Sequence, residues 1–133
     1  MPLQIEIVTP EKRVAQISGA DEVRAPGVLG GFGIRPGHAS FISALDAGRL
    51  VIVQGGHEEL FAVGGGFLQV DKDRVIVLAD TAEAKAEIDV EWAKKEFAEA
   101  TERLRTMTEQ DQGYPLEAAR VRRATARLNV VGR

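Results

Sequence analysis

The chain has 133 residues, 44% hydrophobic and 28% charged, a balance typical of soluble globular proteins and enough for one ordinary domain or a small domain with an appendage. It has no cysteine, which excludes disulfides, thiolate chemistry and Cys-based zinc sites, and no apolar run nears the roughly 18 residues needed to cross a bilayer. The net charge of −3 is uneven: residues 1–81 carry −3, residues 82–112 carry −4, and residues 113–133 carry +4 through Arg120, Arg122, Arg123, Arg127 and Arg133. A basic end on an acidic chain points to an electrostatic partner, although on a helix it is equally the pattern of a solvated face.

The start, Met1-Pro2-Leu3-Gln4-Ile5, enters an alternating pattern directly, so no secretory signal is expected. Runs with period two continue at 14–17, 22–25, 41–45, 49–53, 59–63, 67–70 and 74–79, each bounded by Gly, Pro or Asp. Short, evenly spaced strands with turn residues between them predict a sandwich or barrel. Gln54-Gly55-Gly56-His57 and Asp71-Lys72-Asp73 read as hairpin turns. Gly64-Gly65-Gly66 is not a phosphate loop. The sequence continues as the strand Phe67-Leu68-Gln69-Val70, so no helix N-terminus follows the glycines to meet an anion. These glycines are expected to permit a bulge or a close backbone approach.

His38 and His57 stand 19 residues apart with no carboxylate or cysteine at ligand spacing, so no metal site is expected. Ser40 with His38 is the one imaginable nucleophile pair, but no nucleophile-elbow motif surrounds the serine. No catalytic residue, cofactor or nucleic-acid partner is expected.

After Asp80 the period changes. Asp80-Thr81-Ala82-Glu83 fits a capping box opening a short turn, and Asp89 fits the N-cap of a longer helix. Val90, Ala93, Phe97, Ala100, Leu104 and Met107 form that helix's seam, and Gln112-Gly113-Tyr114-Pro115 stops it. A second helix begins near Leu116, with Ala118, Val121, Thr125 and Leu128 as a thin apolar stripe. Arg120, Arg123 and Arg127 share another of its faces, largely apart from that stripe and therefore free to meet a partner. The predicted class is mainly β plus α, with a sandwich over 1–86 and an antiparallel two-helix hairpin over 87–133.

These segments, in this order, resemble the epsilon subunit of F-type ATP synthase. Leu3 to Pro10 resembles the family's opening strand, and Gly30-Gly31-Phe32-Gly33-Ile34-Arg35-Pro36-Gly37-His38 resembles its signature turn. Gly65-Gly66-Phe67-Leu68-Gln69-Val70 resembles its G-G-F-L-x-V strand, residues 75–80 the closing strand, and Ile88-Asp89 the start of its helices. The resemblance implies about ten strands and two helices, in a central-stalk rotor subunit beside the gamma subunit and on the membrane ring of c subunits. It implies that residues 31–38 form a loop meeting that ring through Gly31, Phe32, Arg35 and His38. It implies that the hairpin is a regulator which, extended, enters the catalytic alpha/beta head and resists ATP hydrolysis through Arg120, Arg123 and Arg127.

Some family members bind ATP through Ile/Leu-Asp-x-x-Arg-Ala and a second arginine. Here Ile88, Asp89 and Ala93 match, but Trp92 and Glu99 replace the arginines, so no nucleotide site is expected. The resemblance also implies a peripheral position on the cytoplasmic face of a bacterial inner membrane. The reading set against it is a free β-sandwich ligand-binding module with a helical dimerisation tail. That reading predicts an aromatic-lined pocket, yet the only Trp and Tyr, Trp92 and Tyr114, lie in the tail.

Overall fold

A computed structural model describes residues 2–132; Met1, in the opening segment, and Arg133, in the basic end, lie outside the described residues. The opening alternation becomes β1 (Leu3–Val8), in which Leu3, Ile5 and Ile7 are buried while the residues between them are not. The strands that follow are β2 (Arg13–Ala20), β3 (Glu22–Gly27), β4 (Gly30–Ile34), β5 (Phe41–Gln54), β6 (His57–Asp71), β7 (Arg74–Ala79) and β8 (Ala82–Ala84). Their order is β2-β1-β7-β6-β5-β3-β4, with β8 on β6, and among the described residues only the β1–β7 pair is parallel. The sheet folds over so that its inner residues, among them Ile5, Ile34, Leu50, Phe61, Leu68 and Val75, enclose one core.

The described residues form eight strands, close to the roughly ten that the resemblance implies; two pairs of predicted runs are continuous, and β4 and β8 form where no run was expected. Residues 41–45 and 49–53 lie together in β5, and residues 59–63 and 67–70 in β6. The apparent breaks face each other, with Leu45 opposite Gly66 and Ala47 opposite Gly64. At these glycines β6 changes neighbours, pairing with β8 through 61–63 and with β7 through 66–71. Gly66 has φ +129°, and a Cβ there would sit 2.1 Å from the Leu78 carbonyl oxygen, so the close approach requires glycine. The two predicted turns are present: Gly55 and Gly56 have φ of 58° and 81°, and Lys72 and Asp73 have 50° and 62°, the positive pairs of a two-residue hairpin.

Residues 80–84 depart from expectation. They form a bend and then β8, and a single 3-10 turn follows at Lys85–Glu87. The capping-box spacing is overridden because Ala82, Glu83 and Ala84 pair with Val63, Ala62 and Phe61. Asp89 does cap α1 (Val90–Arg105), its Oδ1 accepting the Trp92 N–H at 3.0 Å. Met107 lies past the end of that helix, and its buried residues are Ala93 and Ala100, with Phe97 partly exposed. Pro115 stands in the first turn of α2 (Tyr114–Val131), where a missing N–H costs no helical bond.

The predicted stripe of α2 is displaced. Its buried residues are Glu117, Ala124, Ala126, Arg127 and Val130, because α2 is a middle layer, packed on β5 and β6 from one side and on α1 from the other. Ala126 and Val130 join Val51, Leu60, Ala62 and Ile88 in a second apolar cluster between helix and sheet. The hairpin is therefore docked on the sandwich, with α1 outermost.

Candidate functional site: an arginine clasp between hairpin and sandwich

The arginines expected on a free face of α2 are turned inward. Arg127 is only 8% exposed. Its Nε donates to Glu83 of β8, and its guanidinium lies 4.7 Å from the centroid of the Trp92 ring on α1. One side chain thus joins three elements: sandwich, α1 and α2. Arg120, about two helical turns earlier, donates through Nη2 to Glu96 and, at 3.5 Å, to Glu99, both on α1. Its Nη1 donates to Glu117 Oε2 at 2.9 Å, and Arg103 Nη1 reaches the other Glu117 oxygen at 3.0 Å. Arg123 lays its aliphatic stem over Gly64, where a Cβ would be 2.9 Å from its Cδ and 2.0 Å from Thr81 Oγ1.

Burial gives these contacts weight. Glu117 is 6% exposed, so its carboxylate has left water and depends on Arg103 and Arg120 for compensation. The hydrogen bond from Arg120 holds the Glu96 carboxyl below its ordinary value, against the opposing effect of burial. The same bond raises Arg120. Two of the three predicted arginines are therefore occupied within the chain in this conformation. Sequence reasoning missed their carboxylate partners. Glu117 and Arg120 stand three apart on one helix and were legible as a pair, whereas Glu83 and Glu96 are 44 and 24 residues from their arginines and depend on hairpin register.

The second predicted cluster lies along β4 and the segment that follows it. Residues 31–34 belong to β4, an edge strand, so only the segment after Ile34 is loop, a correction to the expected eight-residue loop. Phe32 stacks edge-on to Phe41 at 5.4 Å, and His38 stacks against the same ring at 5.5 Å. The Gly37 N–H donates to Asp73 Oδ1 at 2.7 Å, while Arg35 pairs with Glu22 at 3.4 Å and is otherwise exposed. Phe32, Arg35 and His38 thus share one end of the molecule, with Gly31 further along the β4 edge. Ser40 Oγ donates to Asp71 Oδ1 at 2.7 Å, and His38 Nδ1 lies 2.7 Å from the Ala39 carbonyl oxygen, so neither is directed to the other. That geometry removes the Ser–His pair as a nucleophilic arrangement.

Two family models cover the chain. The ATP synthase, Delta/Epsilon chain, beta-sandwich domain matches residues 2–85, and the Delta/Epsilon chain, long alpha-helix domain matches residues 86–132. The chain belongs to the ATP synthase delta/epsilon family. It is 62% identical over 133 residues to an ATP synthase epsilon chain of Anaeromyxobacter dehalogenans, covering all of both chains. It is 48% identical over 126 residues to the ATP synthase epsilon chain of Myxococcus xanthus, covering 95% of this chain and 92% of that one. The fold also matches a chain in the Euglena gracilis mitochondrial ATP synthase OSCP/F1/c-ring structure, with TM-score 0.81, 18% identity and coverage of 99% and 82%.

Within this delta/epsilon chain, the positions of the family's nucleotide motif are engaged elsewhere. Ile88 is in the apolar cluster under α2, Asp89 caps α1, and Ala93 is fully buried. Trp92 carries Arg127 on its ring, and Glu99 faces Arg120. The residues that replace the motif's two arginines are thus partners of the chain's own cations.

Proposed function

We propose that this chain is a rotor subunit in the central stalk of an F-type ATP synthase, coupling the catalytic head to the membrane c ring in proton-driven ATP synthesis. In this reading it performs no catalysis itself, and its hairpin inhibits ATP hydrolysis when it leaves the sandwich. The observation that carries the reading is the match to epsilon chains over the full length, sandwich and hairpin together, at up to 62% identity. It favours this function over a free ligand-binding module, because the relatives share the tail as well as the sandwich.

The surfaces support specific partners. Ile42 on β5, Phe67 on β6 and Leu78 on β7 are 65%, 56% and 51% exposed, and Phe67 pairs directly across to Leu78 and Ala44. An apolar patch on adjacent strands suits a permanent partner, and we assign it to the gamma subunit. The end bearing Gly31, Phe32, Arg35 and His38 is assigned to the c ring, and the arginines of α2, once released, to the alpha/beta head. No described helix is long and apolar enough to cross a membrane. The c-ring assignment therefore puts the chain on the membrane's surface, at the cytoplasmic face of a bacterial inner membrane. Size-exclusion chromatography with purified gamma subunit tests the reading. A one-to-one complex is expected from the wild type and loss of it from Phe67→Glu, whereas a stable homo-oligomer indifferent to gamma would support the binding-module alternative.

A further inference from the structure

Two hairpin turns of the sandwich share a left-handed backbone but carry different residues. Between β5 and β6 the turn is Gly55-Gly56, with φ of 58° and 81°, where glycine meets no steric cost. Between β6 and β7 it is Lys72-Asp73, with φ of 50° and 62°, a conformation that lysine adopts at a cost and aspartate tolerates. Asp73 reaches out of its turn with a side chain that glycine lacks. Its Oδ1 accepts the Gly37 N–H at 2.7 Å, and Asp71, the residue before the turn, accepts from Ser40 Oγ at 2.7 Å.

Both bonds end on the segment between β4 and β5, residues 35–40. This segment closes on itself through the His38 N–H, which donates to the Arg35 carbonyl oxygen at 3.2 Å across Pro36 and Gly37. The Gly37 N–H takes no part in that closure and is met by Asp73 instead. The remaining polar tie from the segment to the sandwich, among the described residues, is Arg35 to Glu22. It is longer, at 3.4 Å, and its arginine side chain is 77% exposed.

We propose that the Lys72-Asp73 turn is the positioning element of the 35–40 segment: Asp73 and Asp71 fix the chain on both sides of His38, so that Arg35 and His38 meet the c ring in one arrangement. The partner rests on the assignment of this end to the c ring; the holding of the segment does not. Both aspartates act through Gly37 and Ser40 rather than on the partner. A short segment outside any strand would otherwise sample several arrangements, and ordering it on contact would weaken association. Holding it in the free chain removes that cost. This role accounts for an aspartate at a position where the other hairpin carries Gly56.

Amide hydrogen exchange on the full chain, followed by NMR, reports how firmly the segment is held, and titration of the same chain with purified c ring in detergent reports association. Asp73→Gly suits a φ of 62°, keeps the backbone carbonyl that accepts the Gln4 N–H, and removes the side-chain acceptor. The thermal midpoint is therefore expected to hold, while exchange at Gly37 quickens roughly tenfold and the apparent Kd for the c ring rises several-fold. Asp73→Asn keeps an acceptor oxygen and tolerance of the left-handed backbone, and is expected to stay close to wild type in both measurements. Ser40→Ala, which leaves the turn untouched, is expected to loosen the segment in the same direction. If Asp73 serves only its own turn, Asp73→Gly leaves both Gly37 exchange and c-ring affinity unchanged, and that result overturns the proposal. Quickened exchange with unaltered affinity overturns it as well. A wild-type chain that does not associate with the c ring would refute the c-ring assignment itself, and Gly37 exchange would still decide whether the turn holds the segment.

Discussion

Arg127 offers the most direct energetic test of the docked hairpin. Its side chain is 10% exposed and its acceptor Glu83 31%, so the contact lies between a surface pair and a buried one. A surface pair contributes about 0.2–1 kcal/mol and a hydrogen bond to a charged group about 1.5–3 kcal/mol. Water reaching Glu83 discounts the second figure, which leaves about 1–2 kcal/mol for the pair. Stacking on Trp92 adds roughly 0.5–2 kcal/mol. Arg127→Ala is therefore expected to destabilise hairpin docking by about 2–3 kcal/mol. A double-mutant cycle with Glu83→Ala isolates the pair, with an expected coupling of about 1–2 kcal/mol. Urea unfolding followed by helical circular dichroism, with Trp92 fluorescence as the reporter of docking, measures both quantities. A coupling below ~0.3 kcal/mol, the scatter between independent sites, would mean that Glu83 and Arg127 do not fasten the hairpin.

Other outcomes follow from the same structure. Gly66→Ala is expected to cost at least about 2 kcal/mol in unfolding experiments, because the residue combines φ +129° with a Cβ placed 2.1 Å from the Leu78 carbonyl oxygen. Glu96 has its folded pKa depressed from 4.5 by Arg120, so its contribution is fully present above that value and is lost as pH falls through the lower, folded-state value. Acid titration of the α1–α2 distance is expected to show opening only below the ordinary carboxylate range, with a weaker pH dependence in Glu96→Gln. Cutting the chain after Glu87 is expected to leave a folded sandwich that still binds gamma, since the main core lies wholly within residues 3–84. The cut uncovers Val51, Leu60 and Ala62, so a lower solubility limit is expected with it.

The strands were legible wherever one face is buried and the other wet, as in β1 and β7, because alternation records that asymmetry directly. The fusion of four runs into β5 and β6 was not legible. Glycines at 64–66 mark a close approach between paired strands, and a single sequence cannot distinguish that from a chain break. The helix boundaries followed local signals at Asp89 and Pro115, while residues 80–83 show strand pairing prevailing over a capping pattern. The α2 stripe failed for a physical reason: a helix buried on two sides has no single apolar face, and its inward positions include Arg127 and Glu117, whose burial is compensated by partners distant in sequence. The basic cluster itself was visible, but its orientation was not, because charge patterning does not reveal which carboxylates the fold brings to it.

In the proposed function the sandwich holds the rotor while the hairpin controls hydrolysis. The measurement that tests it most directly is the ATP hydrolysis rate of the assembled catalytic head with gamma, titrated with the full chain or with residues 1–87. Both proteins are expected to bind gamma, the full chain to slow hydrolysis, and the shortened chain to leave it unchanged. Equal inhibition by the two proteins, or none by either despite binding, would contradict it.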